Sequence, residues 1–114
     1  MLNQIVLVGR ITKEIEVKET ENGKKVASLS IAVPRNFKNI NGEYDTDFIY
    51  CSLWDAIACN TKEYCKVGDL VGIKGRVQSN NYEKDGERHY AMEIIAEKVT
   101  FLTSKKNIET TEAD

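Results

Sequence analysis

The stretch DFIYCSLWDAIACNTKEYCKVGD, Asp47–Asp69, changes character at its middle. Successive side chains of a strand point to opposite faces. Up to Trp54 that alternation puts Ile49, Cys51 and Leu53 on one side and Phe48, Tyr50, Ser52 and Trp54 on the other. The first set is apolar and fits a core; the second carries large rings. From Asp55 onward the segment fits about ten helical residues, with Asp55 as N-cap and Gly68 as the stop. One strand with a core side and a ring side therefore runs straight into a short helix.

Working outward, the dipeptides Asn22-Gly23, Asn41-Gly42 and Asp85-Gly86 tolerate the positive φ of tight turns and divide β-branched, alternating runs. Strands are predicted near Gln4–Ile11, Lys24–Val33, Asp47–Trp54, Leu70–Tyr82 and His89–Leu102. The order is three strands, one helix, two strands. A lone helix between strands three and four points to an all-β, five-stranded, partly open barrel. That barrel is expected to occupy residues 1–103, followed by a short disordered acidic tail over 104–114.

The chain has 114 residues, enough for one domain and one modest core. No apolar run reaches the length of a membrane helix and the first residues lack signal-peptide features, so a cytoplasmic protein is expected, without membrane partners. Three cysteines, Cys51, Cys59 and Cys65, read as reduced and packed rather than paired. The net charge is −2; with the three carboxylates of residues 107–114 set aside, the remainder carries +1. Any phosphate-binding surface must therefore be local.

The outward residues supply such a surface. The segment from Phe37 to Trp54 holds five of the nine aromatic residues, too many for one side of a small core. On the fourth predicted strand Lys74, Arg76 and Gln78 lie opposite Val71, Ile73 and Val77. On the second, Ser28, Ser30 and Ala32 lie opposite Ala27, Leu29, Ile31 and Val33. The loop Pro34–Asp45 adds Arg35, Phe37 and Lys38, and the hairpin at Asp85-Gly86 adds Tyr82, Lys84 and Arg88. Rings beside cations suit single-stranded nucleic acid, because bases stack on ring faces for roughly 1–3 kcal/mol each while cations meet phosphates. A duplex hides its base faces. Taken singly, Phe48 and Trp54 also fit a core or cross-strand role, and Lys74 and Arg76 a solvated strand face.

Three segments, MLNQIVLVGRITKEIEV, NGKKVASLSIAVPRNF and DFIYCSLWDAIACNTKEYCKVGDLVGIKGRVQSNNYE, resemble the bacterial single-stranded DNA-binding protein family, in order and over nearly all of residues 1–103. The most specific are N-x-I-x-L-V-G-R at the start and K-x-G-D-x-V-x-I-x-G-R-V with the aromatic after it. The resemblance implies an OB-fold assembled into homotetramers that wrap single-stranded DNA cooperatively. It places the family's stacking aromatics on Phe37, Phe48, Trp54 and Tyr82. Phosphate contacts are expected from Arg35, Lys38, Lys74, Arg76, Lys84 and Arg88. Members often carry Trp at several stacking positions, and this chain has one. Members serving the replication fork usually add a long linker and an acidic tip ending in Pro-Phe. Here the end is NIETTEAD, so a short form is expected, and docking of replication or recombination proteins through such a tip is not.

Catalytic chemistry is poorly represented, and no enzyme, metal or cofactor is expected. The single histidine, His89, opens a strand; Cys59 and Cys65 lack zinc-knuckle spacing. No glycine-rich phosphate loop joins a strand to a helix. Two rival readings use the same barrel: a primosome-type protein–protein adaptor and an RNA or cold-shock-type binder. The first strand, NQIVLVGRI, is apolar on both faces and so invites pairing with another copy, giving a symmetric dimer and then a dimer of dimers.

Overall fold

The computed structural model describes residues 1–103; the expected tail over 104–114 lies outside the described residues. Six strands and one helix follow in the order β1 (Ile5–Ile11), β2 (Val17–Glu19), β3 (Lys25–Lys38), β4 (Tyr44–Trp54), α1 (Asp55–Tyr64), β5 (Leu70–Lys84) and β6 (Glu87–Thr103). Five of them close a ring, β1-β5-β6-β4-β3 and back to β1, with β2 added outside on β3. Two seams are short. β1 meets β3 only at Arg10↔Ala32 and Ile11↔Ile31, and β4 meets β6 in parallel at Cys51↔Ile94 and Ser52↔Ile95. This is the OB-fold barrel, with its helix where the sequence places it.

Inside lie Ile11, Ile15, Ala27, Leu29, Ile31, Cys51, Leu53, Ala58, Val71, Ile73 and Ala96, all nearly inaccessible to water. The alternation read for β4 holds, since Cys51 and Leu53 are buried, Ile49 packs against the core, and Phe48 and Tyr50 are exposed. Burial holds the Cys51 thiol uncharged, its pKa pushed up to about 11. Close crossings require two glycines. A Cβ on Gly9 would stand 2.6 Å from the Ala32 carbonyl oxygen, where β1 crosses β3. One on Gly75 would run into the Ile95 carbonyl, beside the register shift between Lys74 and Gly75.

The structure departs from the sequence reading at several joints. The three-residue β2 was too short to show alternation, yet it turns through Asn22-Gly23 onto β3, with Gly23 at φ 80°. β3 does not stop at Val33. It runs through Pro34, still paired with Thr46, and the ladder shifts register between Pro34 and Lys38, so the expected loop contracts to residues 39–43. Ser30, read as outward, is buried because Thr12 closes over it, with 2.6 Å between the two hydroxyl oxygens. Asp55 is not the N-cap. Trp54 takes that place without a side-chain cap bond, while Asp55, at φ 51°, accepts the Lys25 N–H instead. The helix ends at Tyr64, and Gly68 belongs to the following turn, where the Asp69 N–H meets the Lys66 carbonyl.

Candidate nucleic-acid interface

The β3–β4 ladder sets the site. Phe48 stands across from Ala32, Tyr50 from Ser30, Ser52 from Ser28 and Trp54 from Val26. Each large ring thus faces a smaller side chain on the neighbouring strand, and the sheet surface beside it stays low. Phe48 is 65% exposed and Trp54 half-buried. Phe37, 67% exposed, lies on the far arm of β3, and Tyr82 lies on the β5–β6 arm with its ring stacked on His89 at 5.2 Å between centroids. All four rings expected to stack are therefore accessible. Phe48 and Trp54 share one strand face; Phe37 and Tyr82 stand on two separate hairpin arms.

Trp54 borders a cleft of about 440 Å³ whose lining includes Lys24, Arg76, Gln78, Glu93 and Ile95. Its wall is a chain of hydrogen bonds across three strands. Ser52 donates to Glu93, Asn80 donates to Glu93 at 2.9 Å, Gln78 donates to Asn80 at 3.3 Å, and Arg76 donates to Gln78 at 2.8 Å. The bonds from Ser52 and Asn80 hold the Glu93 carboxyl below the usual carboxylate range. Arg76 also lies 3.7 Å from Glu97, so this cation is aimed rather than loose.

The other expected cations are placed unevenly. Arg35 makes a two-pronged pair with Asp47, at 2.9 Å through Nη2 and 3.2 Å through Nε, and lies 3.8 Å from Asp45. That hydrogen bonding draws the Asp47 carboxyl below its ordinary range and ties up the guanidinium. Lys38 sits 5.9 Å from the Tyr44 ring centre, and Arg88 reaches Glu83 at 4.0 Å on the β5–β6 arm that also carries Lys84. Lys74 pairs with Val6 of β1 and Lys98 of β6, and does not line the cleft that holds Trp54 and Arg76.

A second cleft, of about 570 Å³, opens over the middle of the same ladder. It is lined by Lys13, Lys18, Ser28, Ser30, Tyr50 and Ser52, together with the carboxylates of Glu14 and Glu16. The sequence reading put Tyr50 on the ring face but not among the stacking residues, and missed Lys13 altogether. Only the fold brings the segment after β1 across β3, so spacing along the chain carried no signal for Lys13. No group of three or more His, Cys, Asp or Glu is placed to hold a metal among the described residues. No helix there is long and apolar enough to cross a membrane.

Comparison with known proteins places the whole barrel in one family. Residues 2–102 match the Single-strand binding protein family. The chain is 50% identical over 108 residues to "Single-stranded DNA-binding protein 3" of Listeria innocua, covering 94% of this chain and 68% of that one. It is 47% identical over 108 residues to "Single-stranded DNA-binding protein 3" of Streptococcus agalactiae serotype V, covering 94% and 78%. It is 43% identical over 106 residues to "Single-stranded DNA-binding protein B" of Bacillus subtilis, covering 92% and 94%. With a barrel of the expected topology and a family match spanning almost all of it, this chain belongs to the Single-strand binding protein family.

Proposed function

We propose that the chain binds single-stranded DNA without sequence preference, by stacking bases on Phe37, Phe48, Trp54 and Tyr82. The observation that carries this reading is the β4 face, where accessible rings stand beside small residues of β3 and Arg76 lines the same cleft as Trp54. Phosphates meet Lys38, Arg76, Lys84 and Arg88. Lys74, beside Val6, takes a smaller share. Arg35 contributes only where its pair with Asp47 opens. The names of the relatives point the same way. The protein acts by binding, in DNA replication, recombination, repair or uptake, and works in the cytoplasm.

The same reading includes a homotetramer, a dimer of dimers. Among the described residues, residues 5–9 of β1 have a strand partner on one side only, and Val6 and Val8 are exposed. An open, apolar edge of this kind is a template for a second copy. Several modest sites on one strand of DNA then gain affinity through effective concentration, which lets a chain of net charge −2 hold a polyanion.

The test is binding of oligo-thymidine, an equal-length duplex and an equal-length RNA across a salt series, for wild type and for Phe48→Ala and Trp54→Ala. Tight, salt-dependent retention of the single DNA strand is expected. Each variant should fold normally and lose about 1–3 kcal/mol per stack. Preference for RNA would favour the cold-shock-type reading. Absence of nucleic-acid binding would favour the adaptor.

A further inference from the structure

The cleft over the middle of the β3–β4 ladder has a geometry that the four expected stacking rings leave unused. Thr12 pins the segment after β1 onto β3, its N–H donating to the Ser30 carbonyl at 2.9 Å and its hydroxyl bonding the Ser30 hydroxyl. This carries Lys13 to Tyr50, where the ammonium donates to the phenol oxygen at 2.9 Å. The same nitrogen lies 5.2 Å from the ring centre. Together those distances put it beyond the hydroxyl end of the ring rather than above its middle, so Lys13 holds the ring by its tip and leaves its face uncovered by the ammonium. Tyr50 is 55% exposed, and its ladder partner Ser30 is small and buried.

Two further facts fit a nucleotide. Phe48 and Tyr50 are two residues apart on one strand face, about 7 Å at the usual rise of a strand. That is roughly twice the 3.4 Å per nucleotide of a duplex strand, a separation suited to a strand drawn out with its bases unstacked from one another. Of the charged groups in the lining, Glu14 and Glu16 repel phosphate, which leaves Lys13 and Lys18 as the cations a phosphate can meet.

We propose that Tyr50 is a fifth stacking ring, and that the cleft it shares with Lys13 takes one nucleotide of the bound strand, base on the Tyr50 face and phosphate on the Lys13 ammonium. Lys13 has two jobs there: it positions the empty ring and receives the phosphate when the strand arrives. The proposal rests on the single-stranded DNA reading and extends it to a site between Phe48 and Trp54.

Photocrosslinking of the full chain to oligo-thymidine bearing 5-iodouracil, with the modified residue located by mass spectrometry, tests it directly. An adduct on Tyr50 is expected. In solution Tyr50→Ala should weaken oligo-thymidine binding roughly 10-fold, within the range of a lost stack, whereas Tyr50→Phe should stay within about 3-fold because the ring remains. Lys13→Met should lower the salt slope by about 0.7 for each bound protomer, the share of one phosphate contact. If Tyr50→Ala fails to fold, the wild-type adduct decides alone. Adducts confined to other residues, with Tyr50→Ala binding as wild type, would overturn the fifth ring while leaving single-strand binding in place. A wild type that binds no oligo-thymidine and leaves Trp54 fluorescence unchanged would remove both.

Discussion

Asp47 shows how a single carboxylate can set the usable charge of a proposed binding face. It neutralises Arg35 in a two-pronged pair on the exposed arm of β3 that also carries Phe37. Replacing it, Asp47→Asn, is expected to free the guanidinium, tighten binding of oligo-thymidine a few-fold and steepen its salt dependence; a salt titration checks this. Glu93 gives the pH-dependent case. Its carboxyl lies below the ordinary value of 4.5 because Ser52 and Asn80 donate to it. It therefore adds stability that is complete above that ordinary value and is lost as pH falls through the depressed one. Glu93→Gln should flatten the fall of the denaturant midpoint below about pH 4.5 relative to wild type. At this scale the sequence was informative about which rings face outward, since alternation in β4 is a local property. It was uninformative about Arg35 and Ser30, because their partners, Asp47 and Thr12, come from other parts of the chain.

At the scale of elements, the long strands and the single helix were legible because each has its own periodicity and turn dipeptides. The joints were not. β2 is three residues long, and Pro34 reads as a strand end although it pairs with Thr46 and the ladder shifts only beyond it. The helix cap was misread for a similar reason: the backbone at Asp55 leaves the helical region and its side chain serves Lys25 of β3. Barrel closure depends on the bend of β5 against β6 beside Gly75, where there is no room for a Cβ next to the Ile95 carbonyl. Because the obstacle is backbone rather than a flexible side chain, Gly75→Ala is expected to destabilise the fold by about 1–3 kcal/mol, the usual cost of overpacking. Equilibrium urea unfolding measures it, and an unchanged midpoint would mean that the two strands separate there at little cost.

For the whole molecule, the barrel has two outer faces of different character. The β3–β4 side holds rings and clefts; the β1 side holds Val6 and Val8 along a strand with one open edge. If that edge joins copies, Val6→Asp with Val8→Asp should convert tetramers to smaller species in sedimentation velocity. Binding of long oligonucleotides should then weaken more than binding of short ones, because effective concentration between sites is lost. The sequence hinted at this through a strand apolar on both faces, but which edge stays open is decided by a two-pair seam visible only in the closed barrel. The proposed function rests on single-strand binding through stacking, and Trp54 is the chain's one tryptophan, on the ring-bearing face of β4. The most direct measurement is its fluorescence during titration with oligo-thymidine, at low and high salt, beside a duplex of equal length. Strong quenching by the single strand alone, saturating at a fixed number of nucleotides, is the predicted result. Unchanged fluorescence at concentrations where a second method detects bound single strand would contradict it, since the strand would then be passing elsewhere than over Trp54.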